Sequence, residues 1–333
     1  MNRSSEAPLY PLRFAPIFQY RLWGGRSLAD WVGMLPGDGP IGEAWLLSDR
    51  AEHPSRVANG PLEGRTITEL IARSPAAILG NLASRFQRFP LLLKFLDVQQ
   101  MLSVQVHPRD DQTALIPPGD TGKTEAWVVL AASEHARIYA GLKPGTTPAD
   151  LRTLTMGTAD DHLASFAPHR GQSVLIAAGT VHSVGDGLVV FEVQENSDVT
   201  FRVYDWDHVD KATGKTRPLQ VEQALACVDF ARGAVSPVAP RIESTQPALR
   251  EHLLRCAHFD VWRISGTAPF TVGADGTPRV LVCIEGSGRV EHGGADVAME
   301  KGAVVLLPAA LGVCRCRPTG SVVLLELGVP DPS

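Results

Sequence analysis

Glycine and proline cut this sequence into short pieces, and between the cuts apolar residues recur at a spacing of two. With 31 Gly and 25 Pro among 333 residues, the chain favours many short elements joined by tight turns over long helices. FQYRLWGG (within 17–28) and IGEAWLLS (41–48) read as strands, the first ending in a double-glycine turn. From Pro90 onward the period-two pattern dominates in LLLKFLDV, MLSVQVHP, EAWVVLAA and ARIYAGL, then in SVLIAAGTVHSV, GLVVFEVQ and VTFRVYDW. The best helical stretch, 67–86, is interrupted at Ser74-Pro75 and predicts two short helices, because the residue before proline is pushed out of the helical region. A second helical excursion is expected over 146–169, beginning at TTPAD.

A faint internal repeat aligns Gly171–Ala178 with Gly302–Ala309, each a tight turn, a buried strand and a small-residue turn. Short strands repeated in this way predict a mainly β chain of two jelly-roll barrels in tandem with a few short helices. The expected division is a first unit over 1–212, a polar and proline-punctuated linker over 213–252 with one helix near 218–227, and a second barrel over 253–333. A formal charge of −5 gives no electrostatic reason to expect nucleic acid or an anionic membrane as partner. No run approaches the ~18 apolar residues of a membrane span, and Met1–Phe18 carries three prolines and no apolar signal core. Five cysteines, all in the last third and in no CxxC, read as reduced thiols, so a cytoplasmic protein is expected.

The chemistry concentrates on polar strand faces. In MLSVQVHP, Ser103, Gln105 and His107 share one face, and Leu102, Val104 and Val106 take the other. GKTEAW places Lys123 and Glu125 at i, i+2, and His182 follows the Gly179-Thr180 turn. Gln105, His107, Glu125 and His182 would offer two imidazoles, a carboxylate and an amide oxygen, a set that suits a divalent cation of borderline hardness, zinc first. Each residue also has a blander reading. His182 could be a hydrogen-bonded surface residue, His107 a strand end before Pro108, and Glu125 half of a solvated ion pair with Lys123. Further on, Glu192, Gln194 and Asn196 share a face, and Arg202 and Tyr204 share a face after a kink at Asn196-Ser197-Asp198. An arginine facing a barrel interior needs an anion or carboxylate. The residues alone favour an ion pair of Arg202 with Asp198 or Glu192, with a phosphate or a developing oxyanion as the alternative.

Taken together, LLLKFLDV, LSVQVHP, GKTEAWVVL, YAGLK, AAGTVHSVG and ENSDVTFRVYDWD resemble the type I mannose-6-phosphate isomerases, a zinc-dependent branch of the cupin superfamily, in that family's order. The resemblance runs from RLWGG at 21–25 to YDWDH at 204–208, continues more weakly to the C-terminus, and is to the short bacterial form. It implies cupin-like barrels and one zinc per chain on Gln105, His107, Glu125 and His182. It also implies Arg202 as the active-site arginine, with Lys123, Ser103, Glu192 and Lys94 as further pocket residues. The sequence departs from the family in having Ala177-Ala178-Gly179 where proline is usual before the zinc histidine. Val313 stands where the repeat would put a histidine, so the second barrel is expected to be metal-free.

The implied reaction interconverts mannose 6-phosphate and fructose 6-phosphate through an enediol. Arg202, Lys123 and Glu192 are then the catalytic candidates, and Ser103, Lys123, Arg202 and Lys94 the substrate-binding ones. Glu192 and a zinc-bound water are the candidate proton carriers. No glycine-rich loop opens a helix, so side chains are expected to hold the phosphate. The expected partner is a small sugar phosphate and the expected state a monomer. Two other classes stay open: an iron-dependent cupin oxidoreductase, in which a histidine would be usual at the position of Gln105, and a non-catalytic sugar-binding cupin.

Overall fold

A computed structural model describes residues 8–211 and 213–330; Met1 to Ala7, within the stretch read for a signal core, lie outside them. The chain is mainly β, with helices of at most seven residues. No helix is long and apolar enough to cross a membrane among the described residues.

Contacts sort the chain into two compact units that do not follow its linear order. One comprises residues 1–17, 46–90 and 240–333, and the other residues 18–45 and 91–239. In the first unit a nine-stranded sheet is built on Arg279–His292 and Val313–Gly328, which pair antiparallel along most of their length. Its core includes Cys283, Cys314 and Cys316; burial pushes the Cys283 and Cys316 thiols up to about 12, which suits packing rather than redox work. The two short helices appear as Ile67–Arg73, opened by a Thr66/Glu69 capping box, and Pro75–Leu79, with proline at the start where its missing N–H is not needed.

In the second unit two sheets pack face to face. One has five strands, in the order Leu163–Phe166, Arg137–Leu142, His182–Gly185, Val104–Val106 and Phe201–Tyr204. The other has six, in the order Ser173–Ile176, Glu125–Ala132, Leu188–Glu195, Leu91–Val98, Ile41–Leu47 and Ile17–Gly25. Strand alternation sends Leu96, Trp127, Val174 and Val190 of one sheet against Ile138, Ala140 and Val184 of the other. The opposite face of the five-stranded sheet, carrying Val104, Val106 and Val203, is covered by Leu151, Ala159 and Ala224 from short helices. The expected excursion over 146–169 is smaller than its length suggests. It holds Pro148–Arg152 and Ala159–His162, and then Leu163–Phe166 joins the sheet as an edge strand. The polar stretch 213–252 contains the helix Val221–Cys227 and also strands at Arg241–Ser244 and Leu249–Arg255.

Candidate metal and substrate site

Two cross-strand rows build the site. Across the five-stranded sheet, Gln105 lies opposite His182 on one side and Arg202 on the other. Across the six-stranded sheet, Glu192 lies between Trp127 and Lys94, and Gln194 lies beside Glu125. Because side chains alternate across a strand, all of these point to the space between the sheets. Polar residues at these core positions are the price of a working interior.

His107, Glu125 and His182 converge there, with one ligand atom from each lying within 4.8 Å of the others, and all three are buried. Each histidine is fixed by its other nitrogen: His107 Nδ1 donates to Val199 O at 2.8 Å and His182 Nδ1 to Thr180 O at 2.9 Å. With Nδ1 protonated, Nε2 of each ring is left as an acceptor. Burial, reinforced by the Lys123 charge, holds His107 neutral, with its pKa down at about 3, and burial likewise lowers that of His182. Glu125 sets Oε2 3.3 Å from His107 Nε2 and Oε1 3.3 Å from His182 Nε2. Oε1 is buried and accepts no hydrogen bond. Burial raises the pKa of Glu125, but Lys123 and the two histidines outweigh it and keep the carboxylate well below its ordinary value. Two neutral imidazole nitrogens and a carboxylate with one unpartnered buried oxygen make a donor set that fits a metal ion.

The turn that delivers His182 needs no proline. Gly179 takes φ +85°, and its N–H donates to His107 O at 2.9 Å, tying the two histidine segments together. Gln105 Nε2 lies 3.2 Å from His182 Nε2, and Ser103 Oγ donates to Gln105 Oε1 at 3.1 Å. A half-turn of that amide exchanges its oxygen and nitrogen, and the Ser103 hydroxyl can donate or accept.

Two expectations change on contact with the structure. Lys123 and Glu125 do form an ion pair, at 2.6 Å, but it is buried rather than solvated, and Lys123 also reaches His107 Nε2 at 3.1 Å. Arg202 pairs with neither Asp198 nor Glu192: its Nε is buried without a hydrogen bond, and no carboxylate forms a salt bridge with it among the described residues. Glu192 is taken by Lys94 instead, at 3.0 Å, with Trp127 Nε1 donating to its other oxygen.

Beside the metal donors opens a cavity of about 400 Å³, lined by Arg21, Glu43, Lys94, Gln105, Lys123, Glu192, Arg202 and Arg217 among others. Glu43 and Arg21 went unremarked in the sequence, although each lies within a strand-like run. Glu43 takes Arg21 in a two-pronged pair (2.9 and 3.1 Å) and Trp45 Nε1 at 2.7 Å. Against the upward push of burial, Lys94 and Arg21 hold the Glu43 carboxyl down at about 2. Gly42 makes room for this pair: a Cβ there would come within 2.5 Å of Arg21 Cβ and 2.7 Å of Trp23 Cζ3. Lys94 also donates to Gln194 Oε1 at 2.6 Å, and Glu192 with Glu43 keeps it protonated despite burial. Glu192 itself is pushed up by burial, and further by Glu125, with Lys94 opposing. Arg217 carried no signal in the sequence.

The chain is similar to several known proteins. A family profile described as "Phosphomannose isomerase type I, catalytic domain" matches residues 12–133. The chain is 36% identical over 326 residues to mannose-6-phosphate isomerase ManA of Bacillus subtilis, covering 95% of this chain and 99% of that one. It is 34% identical over 302 residues to mannose-6-phosphate isomerase of Streptococcus mutans, covering 90% and 92%. The crystal structure of the Bacillus subtilis mannose 6-phosphate isomerase superposes with a TM-score of 0.87 at 28% identity, over 96% of this chain and 99% of that one.

Proposed function

This chain belongs to the type I phosphomannose isomerases, and we propose that it interconverts mannose 6-phosphate and fructose 6-phosphate with one zinc ion held by His107, Glu125, His182 and Gln105. The observation that carries the reading is the buried convergence of His107 Nε2, His182 Nε2 and Glu125 on one point next to a cation-lined cavity. Zinc bound there would supply Lewis-acid charge near the sugar's C1 and C2 oxygens. All the residues proposed to act lie in the unit of residues 18–45 and 91–239.

The reaction moves a proton between C2 and C1 through an enediol, so oxidation at one carbon balances reduction at its neighbour and no external electron carrier is needed. Glu192 is the proton carrier of this reading. It is buried, it lines the cavity, and its carboxyl stands above the ordinary range, nearer the working pH, where proton transfer is most efficient. Lys94 keeps its charge beside it and fixes its orientation, helped by Trp127. Lys123, at the metal donors, and Arg202, with an unused guanidinium, are the cations available to the enediolate and the phosphate. Ser103 holds the Gln105 amide. The reading makes the enzyme a cytoplasmic monomer, supported by the buried free thiols of Cys227, Cys283, Cys314 and Cys316 and a formal charge of −5 without basic surplus.

The test is conversion of mannose 6-phosphate by the purified protein, before and after chelation, with zinc or ferrous iron added back. Loss on chelation and recovery with zinc is the expected result. A folded, zinc-loaded protein without turnover would leave the non-catalytic binder, and oxygen consumption with iron would leave the oxidoreductase.

A further inference from the structure

The cations of the cavity are not equally committed. Lys123 is held by Glu125 and His107, Lys94 by Glu192 and Gln194, and Arg21 by Glu43 through both prongs. Arg202 and Arg217 differ from these. Arg202 makes no guanidinium hydrogen bond among the described residues, and its Nε is buried. Arg217 gives Nε to Asp205 Oδ2 at 2.8 Å and Nη2 to Asp205 Oδ1, a forked pairing that leaves Nη1 outside it. Both line the cavity. Burial lowers the pKa of Arg202, and the charge of Arg217, which lines the same cavity, lowers it further. Asp205 and the exposed Asp198 pull the other way on Arg202, neither within salt-bridge distance of it, and Asp210 accepts the Tyr20 hydroxyl at 3.0 Å. Arg202, whose guanidinium makes no hydrogen bond among the described residues, and Arg217, whose Nη1 lies outside the fork, together offer N–H donors suited to an anion with several acceptor oxygens.

We propose that Arg217, oriented by Asp205, grips the substrate's phosphate dianion together with Arg202, and that this pair makes the site select a hexose 6-phosphate over the free hexose. The inference rests on the isomerase reading above for the identity of the substrate. It gives the phosphate to the Arg202–Arg217 pair and leaves Lys123, bound up with the metal donors, to the reacting carbons.

The experiment compares wild type, Arg217→Ala, Arg217→Lys and the double variant Arg217→Ala/Asp205→Asn. For each, KM and kcat for mannose 6-phosphate and the competitive Ki of inorganic phosphate are measured, with the thermal midpoint as the check on folding. Arg217→Ala should raise KM and the phosphate Ki together, each by roughly tenfold or more, the size of a lost charge-assisted contact, while kcat changes much less. Arg217→Lys keeps the charge without the fork and should fall between. The double variant, in which no bare Asp205 is left to repel the phosphate, should stay as weak as Arg217→Ala. Unchanged KM and Ki in Arg217→Ala would overturn the proposal, and so would a double variant restored to wild-type values. If Arg217→Ala fails to fold, wild-type constants in Arg217→Lys overturn it. A wild type that binds phosphate through Arg217 yet does not turn over mannose 6-phosphate would refute the isomerase reading alone.

Discussion

Replacing Lys94 by methionine isolates the electrostatics of the buried row. Lys94 Nζ lies 3.0 Å from Glu192 Oε1, with side-chain exposures of 4% and 5%. At an effective dielectric constant of ~20, two charges at that separation attract by about 5 kcal/mol, and breaking a buried pair from one side typically costs ~3–5 kcal/mol. Methionine has nearly the right length, so little of the loss should come from packing. Lys94→Met should therefore destabilise the protein by roughly 3–5 kcal/mol near pH 8. The deficit should depend on pH in one direction. Glu192 already stands above its ordinary value of 4.5 through burial, and removing Lys94 removes the main influence holding it down. A carboxyl raised in the folded state adds stability below its unfolded pKa and loses it as pH rises through the folded one. Lys94→Met should thus be closer to wild type at pH 5 than at pH 8. Lys94→Met/Glu192→Gln should recover much of the stability while remaining inactive if Glu192 carries the proton as proposed. Urea unfolding of the zinc-loaded protein, followed by tryptophan fluorescence, reports all three, with Trp127 in contact with Glu192. A deficit independent of pH, or a double variant no more stable than the single, would refute the argument.

His107→Ala and Glu125→Ala should each lose zinc and turnover together while the fold persists, as read by metal analysis and circular dichroism; full zinc occupancy in either would break the ligand set. Gly42→Ala should cost about 1–3 kcal/mol and raise KM, because its methyl would displace Arg21 and Trp23; thermal melts and kinetics check it. Glu43, held at about 2 against an ordinary 4.5, contributes stability above its unfolded pKa that is lost as pH falls through the folded one, worth up to about 3 kcal/mol. Glu43→Gln should flatten the acid limb of a melting-point curve between pH 4.5 and 2 relative to wild type.

The strands, and the shared facing of Gln105 and His107, were legible in the sequence because both follow from local alternation. LLLKFLDV is the strand Leu91–Val98, and the i, i+2 spacing of Gln105 and His107 aims both at the interior. It did not show how charges are shared among strands. That Lys94 rather than Arg202 takes Glu192 depends on register across Leu91–Val98 and Leu188–Glu195, which no single segment encodes. Arg217 was invisible for a similar reason. It lies outside any strand or helix, in a polar stretch, and acquires meaning only through Asp205, twelve residues earlier. Glu43 was missed although it stands mid-strand among apolar neighbours, which is itself a sign of a buried, partnered carboxylate.

The interleaving of the two units along the chain constrains the order in which they can fold during synthesis. By the time Ala239 has been made, every residue of the unit that carries the site exists, whereas residues 46–90 must wait for 240–333 before their own unit can be completed. The catalytic half can therefore fold while the ribosome is still working, with an unfinished segment looped out between its first and second strand groups. Contacts spanning such separations close slowly, so the waiting segment, apolar at Ile67, Leu70, Ile71, Ile78 and Leu79, is where a nascent chain of this kind is most exposed to aggregation and most in need of a chaperone.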